Sequence, residues 1–125
     1  MKPVPLFALL LLAAPAHAEG ARQVFDCTIT QRCGDTGACA PGSDDVTFTL
    51  LPEETEADGG GMYRIEWAGE IAEMWADSSF GPFLWADGDD RHTLLISSET
   101  SLLWHILDTA RADASVAFMT CAVTQ

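Results

Sequence analysis

The sequence predicts an all-β fold: a small antiparallel barrel or sandwich of seven or eight strands, stapled by disulfides. Three observations carry this reading. Apolar and polar residues alternate with period two along most of the chain, which is the strand pattern. The connections between alternating runs are too short to hold crossover helices, so neighbouring strands must run antiparallel. Four cysteines, Cys27, Cys33, Cys39 and Cys121, make an even count in a chain of 125 residues.

Residues 1–18 stand apart from the alternation. Lys2 supplies a positive start, Leu6 to Ala14 is unbroken apolar sequence, and Ala16-His17-Ala18 is a small-x-small cleavage site. That is the layout of a secretory signal peptide. The apolar run falls short of the ~20 residues a membrane span needs. Cleavage would leave Glu19 first, not a cysteine, so no lipid anchor or other membrane attachment is expected on the mature product. The domain is therefore expected over 19–125, exported to the periplasm or secreted.

The strands follow in order. Val24 to Thr30 alternates, with Phe25, Cys27 and Ile29 on one face. Gln31 to Asp45 is a Gly-, Asp- and Ser-rich loop. Val46 to Leu51 presents Val46, Phe48 and Leu50 inward, and Pro52 is expected to end it because proline donates nothing to a ladder. An acidic turn, Glu53 to Asp58 with Gly59-Gly60-Gly61, leads to Met62–Trp67, whose Tyr63, Ile65 and Trp67 form the core face. Glu70 to Trp75 fits a helix face through Ile71 and Trp75, but also a strand face of Ile71, Glu73 and Trp75; strand neighbours favour the strand. Phe80–Trp85 follows, then a hairpin turn at Asp87-Gly88-Asp89-Asp90. His92–Ser98, Leu102–Leu107 and Ser115–Thr124 complete the set, the last with Ala117, Met119, Cys121 and Val123 on one face.

Of the three ways to pair four cysteines, Cys33–Cys39 and Cys27–Cys121 are favoured. Gly34 to Ala38 is a turn able to join the inner pair, and the outer pair would tie the first strand to the last, favouring closure. Five residues separate Cys27 from Cys33 and five separate Cys33 from Cys39, wider than zinc pairs. There is no C-x-x-C, hence no thioredoxin-like or haem-attachment motif, and no metal or other cofactor is expected.

The chain carries 19 Asp and Glu against 6 Lys and Arg, a formal net charge of −13. Such a balance argues against nucleic acid, whose phosphates need clustered cations. Removing the leader takes Lys2, the only lysine, and no acidic residue. The acidic residues gather in turns: Asp44-Asp45, Glu53 to Asp58 and Asp87 to Asp90. A solvated surface is the plain reading of these turns. Docking of a basic protein or peptide is one functional reading; calcium held by Asp87, Asp89 and Asp90 is another, although the twelve-residue calcium-loop spacing is absent.

Trp67, Trp75, Trp85 and Trp104 suit a packed interior, with an aromatic-lined pocket as the sharper alternative, in which Trp67, Trp85 and Trp104 would bind a ligand. His92 and His105 lie on neighbouring strands and with Asp89 or Asp90 form a conceivable metal set, but their spacing matches no known motif. No G-x-S-x-G elbow is present, and nothing singles out catalytic residues or argues for an enzyme.

Two resemblances add to this. Phe25-Asp26-Cys27, the Cys33–Cys39 loop, Arg91-His92-Thr93-Leu94-Leu95 and Phe118-Met119-Thr120-Cys121 resemble a set of small exported alphaproteobacterial proteins without an assigned activity. Phe25-Asp26-Cys27, Cys121 and Trp85 also resemble positions in periplasmic inhibitors of C-type lysozymes, which are small secreted β-barrels. Their Ser-Gly-x-x-x-Tyr motif is not reproduced; Gly59-Gly60-Gly61-Met62-Tyr63 lacks the serine. The resemblance implies an architecture and no site residues. Together these features point to an exported, non-catalytic binding or inhibitor-type module with a cationic partner. The alternatives are a periplasmic carrier of a small apolar ligand and a protein with only a structural role.

Overall fold

A computed structural model describes residues 1–3 and 22–124. The leader expected at 1–18 lies almost wholly outside the described residues. Among the described residues nine strands form: β1 (Gln23–Gly34), β2 (Cys39–Pro41), β3 (Asp45–Thr55), β4 (Gly61–Trp67), β5 (Glu70–Ala76), β6 (Phe83–Asp87), β7 (Asp90–Ile96), β8 (Ser101–Asp108) and β9 (Asp113–Thr124). Among the described residues there is no helix long and apolar enough to cross a membrane.

The strands form one antiparallel sheet in the order β2-β1-β3-β4-β5-β6-β7-β8-β9, and β1 pairs back onto β9. Eight strands thus close into a barrel in chain order, with β2 an extra strand on β1. Closure removes the open edges that a flat sheet would expose. The alternation reads directly as inside and outside. Phe25, Cys27 and Ile29 of β1, Phe48 and Leu50 of β3, and Tyr63, Ile65 and Trp67 of β4 are all buried in the lumen. Met74, Phe83, Trp85, Leu94, Leu102, Trp104 and Met119 complete a packed core.

Both disulfides join the expected cysteines. Cys27–Cys121 crosses the β1–β9 seam at residues directly opposite in the ladder. Cys33–Cys39 does the same between β1 and β2.

Four local expectations are corrected. β1 does not stop at Thr30 but runs to Gly34, because β9 pairs along it as far as Gly34↔Ser115 and β2 covers its other edge. An irregularity between Ile29 and Gln31 shifts the alternation there, and that shift is what reads as a loop in the sequence. Pro52 does not end β3. The ladder with β1 has already stopped at Leu50, so Pro52 sits where β3 has only β4 beside it and a missing donor is tolerated. The inward face of β5 is Ala72, Met74 and Ala76, not Ile71, Glu73 and Trp75. Bulky Tyr63 and Trp67 on one side and Phe83 and Trp85 on the other fill the lumen, leaving β5 to supply smaller residues. Trp75 is 50% exposed on the outside. Finally, β6 begins at Phe83; Phe80 lies before Gly81-Pro82 in the turn and is 74% exposed.

Candidate functional site

An up-and-down barrel has two ends. The turns β4–β5, β6–β7 and β8–β9 and the β1–β2–β3 excursion share one end, called the upper end below; the turns β3–β4, β5–β6 and β7–β8 share the other. The residues singled out by sequence gather at the upper end. Trp67 closes β4, Trp85 lies near the end of β6, and Asp87, Asp89 and Asp90 form the β6–β7 hairpin.

The hairpin is built for rigidity. Asp87 and Asp90 pair across it, and Gly88 (φ 57°) is the first of two loop residues, where a type II′ turn requires glycine. Arg91 Nη1 donates to the carbonyls of Gly88 at 2.8 Å and Asp90 at 3.3 Å. The Thr109 amide and hydroxyl both donate to the Asp89 carbonyl, at 3.0 and 2.8 Å. This ties the hairpin tip to the β8–β9 turn. The backbone uses these donors, so the carboxylates of Asp87 and Asp89 remain exposed. The ion pairs among the described residues lie elsewhere, at Arg32–Asp44, Arg64–Glu53 and Arg111–Asp108. Asp44, Asp45 and Asp108 add to the negative charge of the same end, whereas the Glu53 to Asp58 turn lies at the other.

Beneath the hairpin is an aromatic cluster centred on His92, whose side chain points into the lumen. Trp85, its partner in the ladder, stacks on it with ring centroids 4.8 Å apart and planes 2° from parallel. Trp104 stacks from the other strand at 5.8 Å and 20°, and its indole Nε1–H donates to His92 Nδ1 at 3.1 Å. Trp67 leans on both Trp85 and His92, at 5.3 and 5.4 Å. Phe48 meets Trp104 edge-on at 5.2 Å. The three tryptophans named from sequence therefore do converge, with their faces occupied by one another and by the imidazole. His92 itself is only 5% exposed.

Since Nδ1 accepts, the neutral ring carries its proton on Nε2. That nitrogen and Trp85 Nε1 are buried with no hydrogen-bond partner among the described residues. Burial lowers the His92 pKa below the usual imidazole value, and Asp90 and then Asp87 pull it back up. The field of the hairpin carboxylates thus reaches the aromatic floor.

The histidine pair does not assemble. His105 stands opposite Thr93, one position out of phase with His92, so the two side chains lie on opposite sides of the barrel wall. Among the described residues no group of three His, Cys, Asp or Glu side chains is arranged to hold a metal, and Asp87, Asp89 and Asp90 form no such group. A shallow groove of about 390 Å³ beside the β4–β5 hairpin brings Glu66 and Glu70 next to Ile71 and the edge of Trp67. These two glutamates were not singled out from sequence. They belong to no acidic run; they flank the two-residue turn Ala68-Gly69, Glu66 opposite Ile71 and Glu70 opposite Trp67 in the ladder.

No family model, no curated protein and no solved structure matches the chain.

Proposed function

We propose that this protein is an exported, non-catalytic binding module of inhibitor type, whose acid-rimmed upper end docks a basic protein or peptide. One observation carries the reading: the hairpin bearing Asp87, Asp89 and Asp90 is locked to the β8–β9 turn by two hydrogen bonds, from the Thr109 amide and hydroxyl to the Asp89 carbonyl. A hairpin backbone held in this way presents its exposed carboxylates to a cationic surface without the loop first having to be ordered. Glu66 and Glu70, flanking the β4–β5 turn, add negative charge at the same end. Both disulfides are compatible with an oxidising, exported location, and the leader at 1–18 supports the periplasm or the exterior. The similarity of Phe25-Asp26-Cys27, Cys121 and Trp85 to inhibitors of C-type lysozymes makes a basic lysozyme a natural first probe.

Binding of such a lysozyme and of an oligo-arginine peptide is to be measured by calorimetry at low and moderate salt. The reading expects salt-sensitive binding, weakened about tenfold or more by the combined Asp87→Asn, Asp89→Asn and Asp90→Asn changes. Binding to neither probe, or binding indifferent to both salt and neutralisation, rejects this reading.

The carrier reading has a separate footing at the lower end. There a cleft of about 300 Å³ is lined by Phe25, Phe80, Ile96, Leu102 and Val123 together with four polar residues, Glu99 among them. Native mass spectrometry of protein isolated from its own host distinguishes the two: a co-purifying small apolar molecule supports carriage.

A further inference from the structure

The barrel wall opens at its upper end. β5 pairs with β4 along its whole length, Glu70 to Ala76, but with β6 only at Met74, Trp75 and Ala76. β6 continues upward to Asp87 on its β7 side. Above Met74 and Trp85 the ladder between β5 and β6 has therefore ended. The Asp77 amide donates to the Pro82 carbonyl at 3.3 Å, which fixes the phase of the β5–β6 hydrogen bonds. Bonded pairs recur at every second position, so Trp75 exchanges with Leu84, and Glu73 would exchange next with Ala86. The register stops before that pair. The Glu73 N–H and both polar backbone groups of Ile71 thus face the β6 side without a strand to take them.

Backbone groups left in this way are a template for another extended chain. Two further open stretches are blunted: β2 carries Pro41, and β3 beyond its ladder with β1 carries Pro52. β5 has no such block. The surroundings specify the charge of the chain that fits. Glu70 and Glu73 on β5 and Asp87 on β6 are exposed, and neither strand carries a lysine or arginine. The cations on the adjoining strands are engaged. Arg64, opposite Glu73, pairs with Glu53 at 3.9 Å, and Arg91, opposite Ala86, donates to the Gly88 and Asp90 carbonyls. Ile71, 64% exposed, offers an apolar contact beside the open edge. The groove of about 390 Å³ that holds Glu66 and Glu70 begins at Ile71 and gives a long cationic side chain a place to lie. We propose that an extended basic segment of the partner adds to the Ile71–Glu73 edge of β5 as a short extra strand. This contact rests on the reading that the upper end takes a basic partner, and adds to it backbone hydrogen bonds that charge alone does not supply.

The probe is an alternating peptide, Arg-Val-Arg-Val-Arg-Val-Arg, offered to the full chain beside the same peptide N-methylated at every second residue, in both phases. Methylation removes strand donors and leaves the charge. Calorimetry should show the unmodified peptide bound and at least one methylated phase weakened about tenfold or more. Amide exchange followed by nuclear magnetic resonance should slow about tenfold or more at Ile71 and Glu73 on binding. All three peptides bound alike, or no slowing at Ile71 and Glu73, overturns the added strand. So does a chain that binds oligo-arginine but not the alternating peptide, and in that case the upper-end reading stands. Failure of lysozyme, oligo-arginine and the alternating peptide alike rejects both.

Discussion

His92 concentrates much of the chemistry of the lumen. Its Nδ1 is occupied by the Trp104 indole, and burial outweighs the pull of Asp90 and Asp87, so the folded state favours the neutral ring. The unfolded chain therefore takes up a proton at higher pH than the folded one. Stability from this group is intact above the ordinary imidazole value of about 6.5 and declines as pH falls through it towards the lowered folded value. The urea midpoint, followed from about pH 8 to about pH 5, should fall more for the wild type than for His92→Gln, which keeps an acceptor for Trp104 but does not titrate. Parallel pH profiles would contradict this account. The inward direction of His92 was legible in principle, because it alternates in phase with Leu94. That Trp67, Trp85 and Trp104 gather was also legible; that they gather around His92 was not, since β4, β6, β7 and β8 come together only through the ladder.

The elements show where local pattern suffices and where it does not. The β4–β5 hairpin turns on Ala68 and Gly69, both left-handed, with φ of 46° and 79°. Gly69 is at ease there; Ala68 bears the steric cost of its Cβ. Ala68→Gly should stabilise the barrel by ~0.5–1 kcal/mol, seen as a higher melting temperature; a lower one would show that the turn carries no such strain. The two cross-strand disulfides should differ in worth. The chain-entropy model assigns about 5 kcal/mol to the long Cys27–Cys121 loop and about 2 kcal/mol to the short Cys33–Cys39 loop. Paired Cys→Ala variants, compared in denaturant, should keep that order. The disulfide pairing was readable because the turn chemistry of Gly34 to Ala38 is local and the outer cysteines sit in recognisable strands. The inward face of β5 was not, because Ile71 and Trp75 are the more apolar set and only the bulk of the flanking strands turns them outward.

At the scale of the whole molecule, charge opposes compactness. With three ion pairs among the described residues and a net charge of −13, self-repulsion should depress the melting temperature at low salt. Moderate salt should raise it. An unchanged melting temperature would mean the carboxylates are already too far apart to matter. The short connections and the number of strands indicated a barrel or a sandwich. Only the seam decides between them, and a pairing between the two ends of the chain leaves no local trace apart from the cysteines that brace it. That seam also imposes an order of events. The cylinder joins β1 to β9, so it cannot be sealed until β9 has been made. A product truncated before Asp113 would present two raw margins, on β1 and on β8, each a template for a foreign strand. Those margins stay open until β9 (Asp113–Thr124) has been made and has paired with both.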